Sequence, residues 1–370
     1  MMKKLTRRST LGLLGSSAIA MPFVKRARAE DKVVNVYNWV DYIGETTIED
    51  FQSATGIEVV YDTYDSAETV EAKIMTGSTG YDVIDTSSIS LVRFAPTGIF
   101  SKLDKSKLPN WKNLDPDILK VLATRDPGNE LSVPYMWGTT GITVNADMVN
   151  ERIPNAPIDS MELLLKPENI SKLADCGVNI LESPTEVIPM TMAYLGLDPN
   201  SEKLEDLAAA EKALSAIRSN VKTFDAANYL NALPNKELCV SMTWSGDYAT
   251  AAARAEEAGV NINLAYHVPK SGCSAWFDVF VIPTDAEHKD SAYAFLNYLM
   301  DPEVAAKCTN FTNYANANLA SRAFIDKAVL EDPAVFPTPD IMKNLWVQAV
   351  ASPDFERAMT EAWSRIKTGS

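Results

Sequence analysis

Carboxylates recur in this sequence where strands would hand over to helices, and aromatic rings recur beside most of them. Asp41 sits in Asn38-Trp39-Val40-Asp41-Tyr42 and Glu186 in Glu182-Ser183-Pro184-Thr185-Glu186. Asp247 sits in Trp244-Ser245-Gly246-Asp247-Tyr248 and Asp278 in Trp276-Phe277-Asp278-Val279-Phe280. A flexible organic cation calls for this combination. Its ammonium ends need charge-assisted N–H···O contacts, about twice as strong as neutral ones, and its methylenes need apolar walls. Aromatic faces serve both needs, a cation–π contact contributing about 0.5–2 kcal/mol. A primary alkyl ammonium resembles lysine, with a pKa of about 10.4, and is charged at neutral pH.

Asp278 is the sharpest anomaly. Alternate residues of a strand share a face, so Trp276, Asp278 and Phe280 line up. An ionised carboxylate among apolar neighbours is costly unless paired, so it needs a cation from the protein or from a ligand, unless it is a hydrogen-bonded Asp at a strand edge. The other positions admit plainer readings. Ser183-Pro184-Thr185-Glu186 fits a capping box with Pro at the first helical position, and Ser245 or Asp247 fits an N-cap. Asp41 and Tyr314, the latter in Asn313-Tyr314-Ala315-Asn316-Ala317-Asn318, fit turns, and the tryptophans fit a core. It is the repetition that points to a cation site. Two alternatives stay open on the same residues. Paired carboxylates also suit a glycosidase, and sugars like aromatic floors but ask for more Asn, Gln or Arg.

Composition narrows the field. A chain of 370 residues that is 46% apolar can bury a sizeable core, and the length suggests two domains or one large two-lobed unit. Residues 1–29 hold seven basic residues and no acid, which leaves 27 basic against 49 acidic residues beyond them, a net −22. So acidic a body repels phosphate backbones, so no nucleic-acid partner is expected. His267 and His288 are the two histidines; metal chemistry and a His-dependent triad are poorly supported, and no metal or cofactor is expected. Cys176, Cys239, Cys273 and Cys308 have no CxxC spacing. An even number permits two bridges in any of three pairings.

The first 29 residues read as an export signal. A basic start precedes the apolar stretch Leu11–Val24, and Ala27-Arg28-Ala29 is a small-x-small cleavage site. The apolar run falls short of the roughly 20 residues needed to span a bilayer. Thr6-Arg7-Arg8-Ser9-Thr10-Leu11 resembles a twin-arginine signal, with Sec export the other route. The expected product is a soluble periplasmic protein beginning near Glu30.

Strand-like and helix-like segments then alternate. Strands are predicted at Val33–Tyr37, Ile57–Tyr61, Val83–Ile84, Val178–Leu181, Leu238–Thr243 and Ala275–Ile282. Helices are predicted at Thr46–Thr55, Ala67–Thr76, Leu91–Ala95, Pro184–Leu195, Leu204–Arg218, Tyr248–Ala258 and Ser291–Met300. This rhythm implies α/β lobes with mostly parallel sheets flanked by helices. Binding sites in such folds lie beyond the carboxyl ends of strands.

With these stretches in view, the chain resembles the substrate-binding component of bacterial polyamine ABC importers, the spermidine/putrescine-binding family. The motifs are Asn38-Trp39-Val40-Asp41-Tyr42-Ile43, Val133-Pro134-Tyr135-Met136-Trp137-Gly138-Thr139-Thr140-Gly141, Trp244-Ser245-Gly246-Asp247, Phe277-Asp278-Val279-Phe280 and Tyr314-Ala315-Asn316-Ala317-Asn318. The resemblance implies a two-lobed periplasmic binding protein of type II, hinged, with lobe 1 at 30–137 plus 266–312 and lobe 2 at 138–265 plus 313–370. Tyr135 and Trp137 are then hinge or core. It implies an aromatic box of Trp39, Tyr42, Trp244, Trp276 and Tyr314, with Asp41, Glu186, Asp247 and Asp278 holding ammonium groups and Ser87 adding a polar contact. It implies a Cys176–Cys239 disulfide, leaving Cys273 and Cys308 as a second pair. The implied function is capture of a polyamine between the lobes, by a monomer that is not an enzyme, and its delivery to an inner-membrane ABC permease. Putrescine-preferring members tend to have a small polar residue at the position of Val40, and Trp276 resembles spermidine-preferring ones, so the resemblance leans slightly to spermidine, putrescine close behind. The alternatives are a polyamine sensor subunit, a sugar or amino-acid importer, or a carboxylate-dependent secreted hydrolase.

Overall fold

The computed structural model describes residues 32–369. The predicted export signal and its cleavage site near Ala29 lie outside them.

Eleven strands are described: β1 (Val33–Trp39), β2 (Glu58–Tyr64), β3 (Val83–Ser87), β4 (Ser132–Asn145), β5 (Val178–Ile180), β6 (Thr223–Phe224), β7 (Val240–Trp244), β8 (Leu264–His267), β9 (Cys273–Val281), β10 (Ala315–Asn316) and β11 (Leu345–Val347). They join in one path, β2-β1-β3-β9-β4-β7-β5-β6, with β8 and β10 on β4 and β11 on β9. The outer strands are parallel as the β-α-β rhythm predicts: β1 runs parallel to β2 and β3, and β5 to β6 and β7. The centre is antiparallel, at β3–β9, β4–β9 and β4–β7. The alternation of short strands and helices did not disclose these pairings, because they are made where the chain returns from a distance.

β4 belongs to two halves of the sheet. Its first part, Ser132–Thr139, pairs with β9, and Thr140–Val144 pairs with β7. All fourteen of its residues are buried. The register with β9 slips between Pro134 and Trp137, as expected where a strand carries a residue with no N–H to give. Two glycines let neighbours close in. A Cβ on Gly138 would lie 2.5 Å from the indole of Trp276, and one on Gly141 would lie 2.5 Å from the carbonyl oxygen of His267.

Local signals set the helix ends. Gly56 adopts φ 67° after helix Thr47–Thr55, the left-handed turn that suits glycine. Ser66 accepts from the amide of Thr69 ahead of helix Ala67–Met75. The core of the second half unites helices Pro184–Tyr194 and Leu204–Ile217 with the C-terminal helix Pro353–Thr368. The faces of β9 alternate as expected: Phe277 and Val279 enter one cluster, while Phe280 and Trp276 join another.

One expectation needs correction, the second cysteine pair. The stretch after residue 313, assigned to lobe 2 from the resemblance, begins with ties to the first half of the sheet. β10 pairs with β4 at Met136 and Trp137, Asn316 Nδ2 donates to Thr309 Oγ1 at 2.8 Å, and Asn318 Nδ2 donates to the Met300 carbonyl at 2.8 Å. Cys176 and Cys239 are bonded, with Cα atoms 5.5 Å apart, but Cys273 and Cys308 are both free and buried. They sit in different hydrophobic clusters, Cys273 on β9 in the second and Cys308 on helix Pro302–Thr312 in the first.

Candidate functional site

The end of β1 and the turn after it deliver Trp39, Asp41 and Tyr42. Trp39 is half-buried and tilts against Tyr64, ring centroids 4.6 Å apart. Tyr42 is buried, and its hydroxyl donates to Asp278 Oδ2 at 2.8 Å. Asp41 adopts φ 54°, a left-handed turn that Asp tolerates better than most residues. That turn directs its exposed carboxylate to Arg254 of helix Asp247–Glu257, 3.6 Å away. Asp41 thus forms an ion pair with a guanidinium of the protein, which among the described residues none of the other three predicted carboxylates does. Val40 is 49% exposed.

Asp278 lies on β9 opposite Ser87 at the end of β3. Its carboxyl is pushed up to about 7, chiefly by burial, with the Tyr42 hydroxyl opposing and the charge of Glu186 reinforcing the shift. Ser87 spends its hydroxyl locally, accepting from the amide of Ser90 at 3.1 Å as the cap of helix Ser88–Phe94.

The second half supplies Glu186, Trp244 and Asp247. Glu186 makes no capping box. The Ser183 hydroxyl bonds to Thr185 instead, and no side-chain bond caps the helix. The Glu186 carboxylate turns to the sheet, where it accepts from Thr140 Oγ1 at 2.5 Å and from Trp244 Nε1 at 3.1 Å. Asp247 is the first residue of its helix, after Gly246. It accepts from the hydroxyls of Tyr229 and Tyr314, the latter at 2.5 Å. Burial raises both carboxyls and these donors oppose it, with Arg254 also acting on Asp247.

Tyr314 is buried rather than a surface turn, and it links the halves. Its ring meets Tyr42 at 5.5 Å and Trp276 at 5.3 Å, both edge-on, while its hydroxyl reaches Asp247. A Cβ on Gly246 would lie 2.8 Å from this ring, so glycine is needed there for the tyrosine to approach. Trp276 is half-buried and occupies the space left by Gly138.

The structure therefore connects Tyr42, Asp278, Trp276, Tyr314 and Asp247 in one contact chain, with Glu186 and Trp244 bonded beside it. Trp39 flanks the group through Tyr64, while Ser87 and Asp41 engage partners of their own. Among the described residues, Glu186, Asp247 and Asp278 take part in none of the ion pairs, and no group of three or more His, Cys, Asp and Glu is placed to hold a metal ion. Sequence reasoning missed Thr140, Tyr229 and Asp85. Asp85 is 0% exposed on β3; its signal was an acid within Val83-Ile84-Asp85-Thr86, the same anomaly as Asp278. A separate hollow of about 490 Å³ on the first half, lined by residues including Asp50, Tyr298 and Glu303, includes no residue of this group.

Known proteins match over nearly the whole chain. The putrescine-binding periplasmic protein PotF of Escherichia coli is 44% identical over 370 residues, all of both chains. The putrescine-binding periplasmic protein SpuD of Pseudomonas aeruginosa is 45% identical, covering 92% of this chain and 93% of its own. A solved structure described as a putative spermidine/putrescine ABC transporter from Listeria monocytogenes superposes with a TM-score of 0.81 at 30% identity, covering 92% of this chain and 100% of that one. These likenesses place the architecture among the two-lobed periplasmic binding proteins of ABC transporters. Residues 46–338 match the family description itself, and the chain belongs to the bacterial extracellular solute-binding proteins.

Proposed function

We propose that this protein captures a polyamine between two lobes in the periplasm and hands it to an inner-membrane ABC permease, without catalysis. One observation carries the reading: among the described residues, Glu186, Asp247 and Asp278, walled by Trp244, Trp276, Tyr42 and Tyr314, accept from hydroxyl and indole donors and form no ion pair with a protein cation, Arg254 reaching Asp247 only through its field. Carboxylates so placed are costly to leave charged and are balanced by an incoming ammonium. The two relatives at 44–45% identity are named for putrescine, which favours the diamine over the lean to spermidine drawn from Trp276. Trp39 completes the box, and Asp41 acts through Arg254 across the halves rather than on the ligand.

The lobes divide within β4 near residue 139 and again between β8 and β9, with β10 moving with the first lobe. Closure about these crossings traps the ligand. A thermal-shift screen of putrescine, cadaverine, spermidine, spermine, glucose and amino acids tests the reading, since a ligand that binds only the folded state raises its melting temperature. Putrescine is expected to give the largest shift and glucose none. A shift from a sugar or amino acid, with none from any amine, overturns it. Release of reducing ends from oligosaccharides would instead favour a hydrolase.

A further inference from the structure

Asp85 has no role in the site as described, yet it is the most completely enclosed carboxyl near it. Its side chain is 0% exposed. Oδ1 accepts from the Tyr64 hydroxyl at 3.1 Å, a hydroxyl also donated to the Asp85 carbonyl at 2.9 Å. Oδ2 has no partner. A buried carboxylate with one shared donor and one bare oxygen lacks what an ionised group needs; a carboxylic acid fits the same place.

Strand register sets its neighbour. β3 and β9 run antiparallel with Ser87 opposite Asp278 and Asp85 opposite Phe280. Asp85 and Asp278 are therefore diagonal neighbours on one face, at a spacing where side chains interact. Burial and then the charge of Asp278 hold the Asp85 carboxyl well above the usual range, the Tyr64 bond opposing. The other titratable groups in its field are the phenols of Tyr61 from β2, Tyr42 from the turn after β1 and Tyr135 from β4. None of these is cationic.

We propose that Asp85 is a fourth carboxyl of the cation site, one that carries a proton until an ammonium docks on Asp278 and then gives it up. The inference rests on the polyamine reading. In the ligand-free protein the Asp85 O–H bond is intact and Asp278 bears the charge. Docking brings a positive charge into a site shielded from water, where opposite charges attract far more strongly than in solvent. The Asp85 O–H bond then breaks, the proton leaves to buffer, and a second negative charge lies beneath the cation. Asp85 is a positioning residue in this scheme, since it acts on the ligand through Asp278.

The test is calorimetric titration of the intact protein with putrescine at pH 8, in buffers of different ionisation enthalpy. The dependence of the heat on buffer counts protons released. The wild type is expected to release close to one proton and Asp85→Asn close to none. Between pH 7.5 and 8.5 wild-type affinity should rise by up to about tenfold, the slope of one released proton, while Asp85→Asn stays flat. Infrared difference spectra supply a readout that a merely structural residue would not move. The ligand-free wild type should show the carbonyl stretch of a protonated acid, absent in Asp85→Asn and lost on adding putrescine. Tight binding with no proton release, equal release in both proteins, or an acid band that survives saturation overturns the inference. Failure of every polyamine to bind overturns the underlying reading instead, and the ligand-free acid band then still reports the state of Asp85.

Discussion

The two halves of the site hold their carboxylates in opposite ways. In the second half, Glu186 and Asp247 are well supplied: a threonine hydroxyl and an indole serve one, and two phenols serve the other. The same half is stapled by the Cys176–Cys239 bridge. In the first half, Asp278 has a single phenol and a second carboxyl, Asp85, close behind it. One half offers oriented acceptors; the other offers one carboxylate short of donors, with a second carboxyl behind it that burial keeps protonated. A cation gains orientation from the first arrangement and relief of unbalanced charge from the second.

Four measurements would break or sharpen this contrast. The largest effect belongs to the staple. Its cysteines are 63 residues apart, and closing a loop of that length stabilises the folded state by about 4 kcal/mol in the chain-entropy account. Cys176→Ser with Cys239→Ser should lower the denaturation free energy by about that amount and leave putrescine affinity within about twofold. A large loss of affinity in the folded variant would show that the staple also shapes the site.

Next comes Asp278→Asn, which removes a charge-assisted contact worth about 2–3 kcal/mol, or about 30–150-fold in affinity. Unchanged calorimetric affinity would reduce Asp278 to a structural residue. The third effect is on pH. With Asp278 raised to about 7, the folded protein binds more protons than the unfolded chain from about pH 4 to 7. Stability from this group is therefore present at low pH and falls as pH rises through that window. Affinity moves the other way, because the ammonium needs the anion, and this group alone should make it climb by up to about tenfold per unit from pH 5.5 to 6.5. Titrations across that range that show flat affinity would contradict the need for an ionised Asp278. The smallest change is expected from Glu186→Gln, about tenfold, since Gln keeps an acceptor for Thr140 and Trp244. A larger loss than from Asp278→Asn would reverse the assignment of the two halves.

Much of this was legible in the chain. The period-two pattern around Asp278 gave its face correctly, and Gly56 and Ser66 marked helix ends through local chemistry. Glu186 shows where local chemistry misleads. Its spacing from Ser183 satisfies a capping box, but Thr140 and the Trp244 indole compete for its carboxylate and win, and both come from strands remote in sequence. The same limit hid the antiparallel centre of the sheet, the role of Gly138 and the separation of Cys273 from Cys308. Each depends on which distant segments meet. Asp85 was overlooked for another reason, since the rule that exposed Asp278 applies to it equally.

β4 carries a mechanical corollary. One strand supplies the middle of both sheet halves, with no residue of its fourteen exposed, so neither half can lose its register without unzipping the core of the other. Heat should therefore dismantle the molecule in a single cooperative step. An excised half, left with a torn edge where its neighbour stood, would have an open template for self-association.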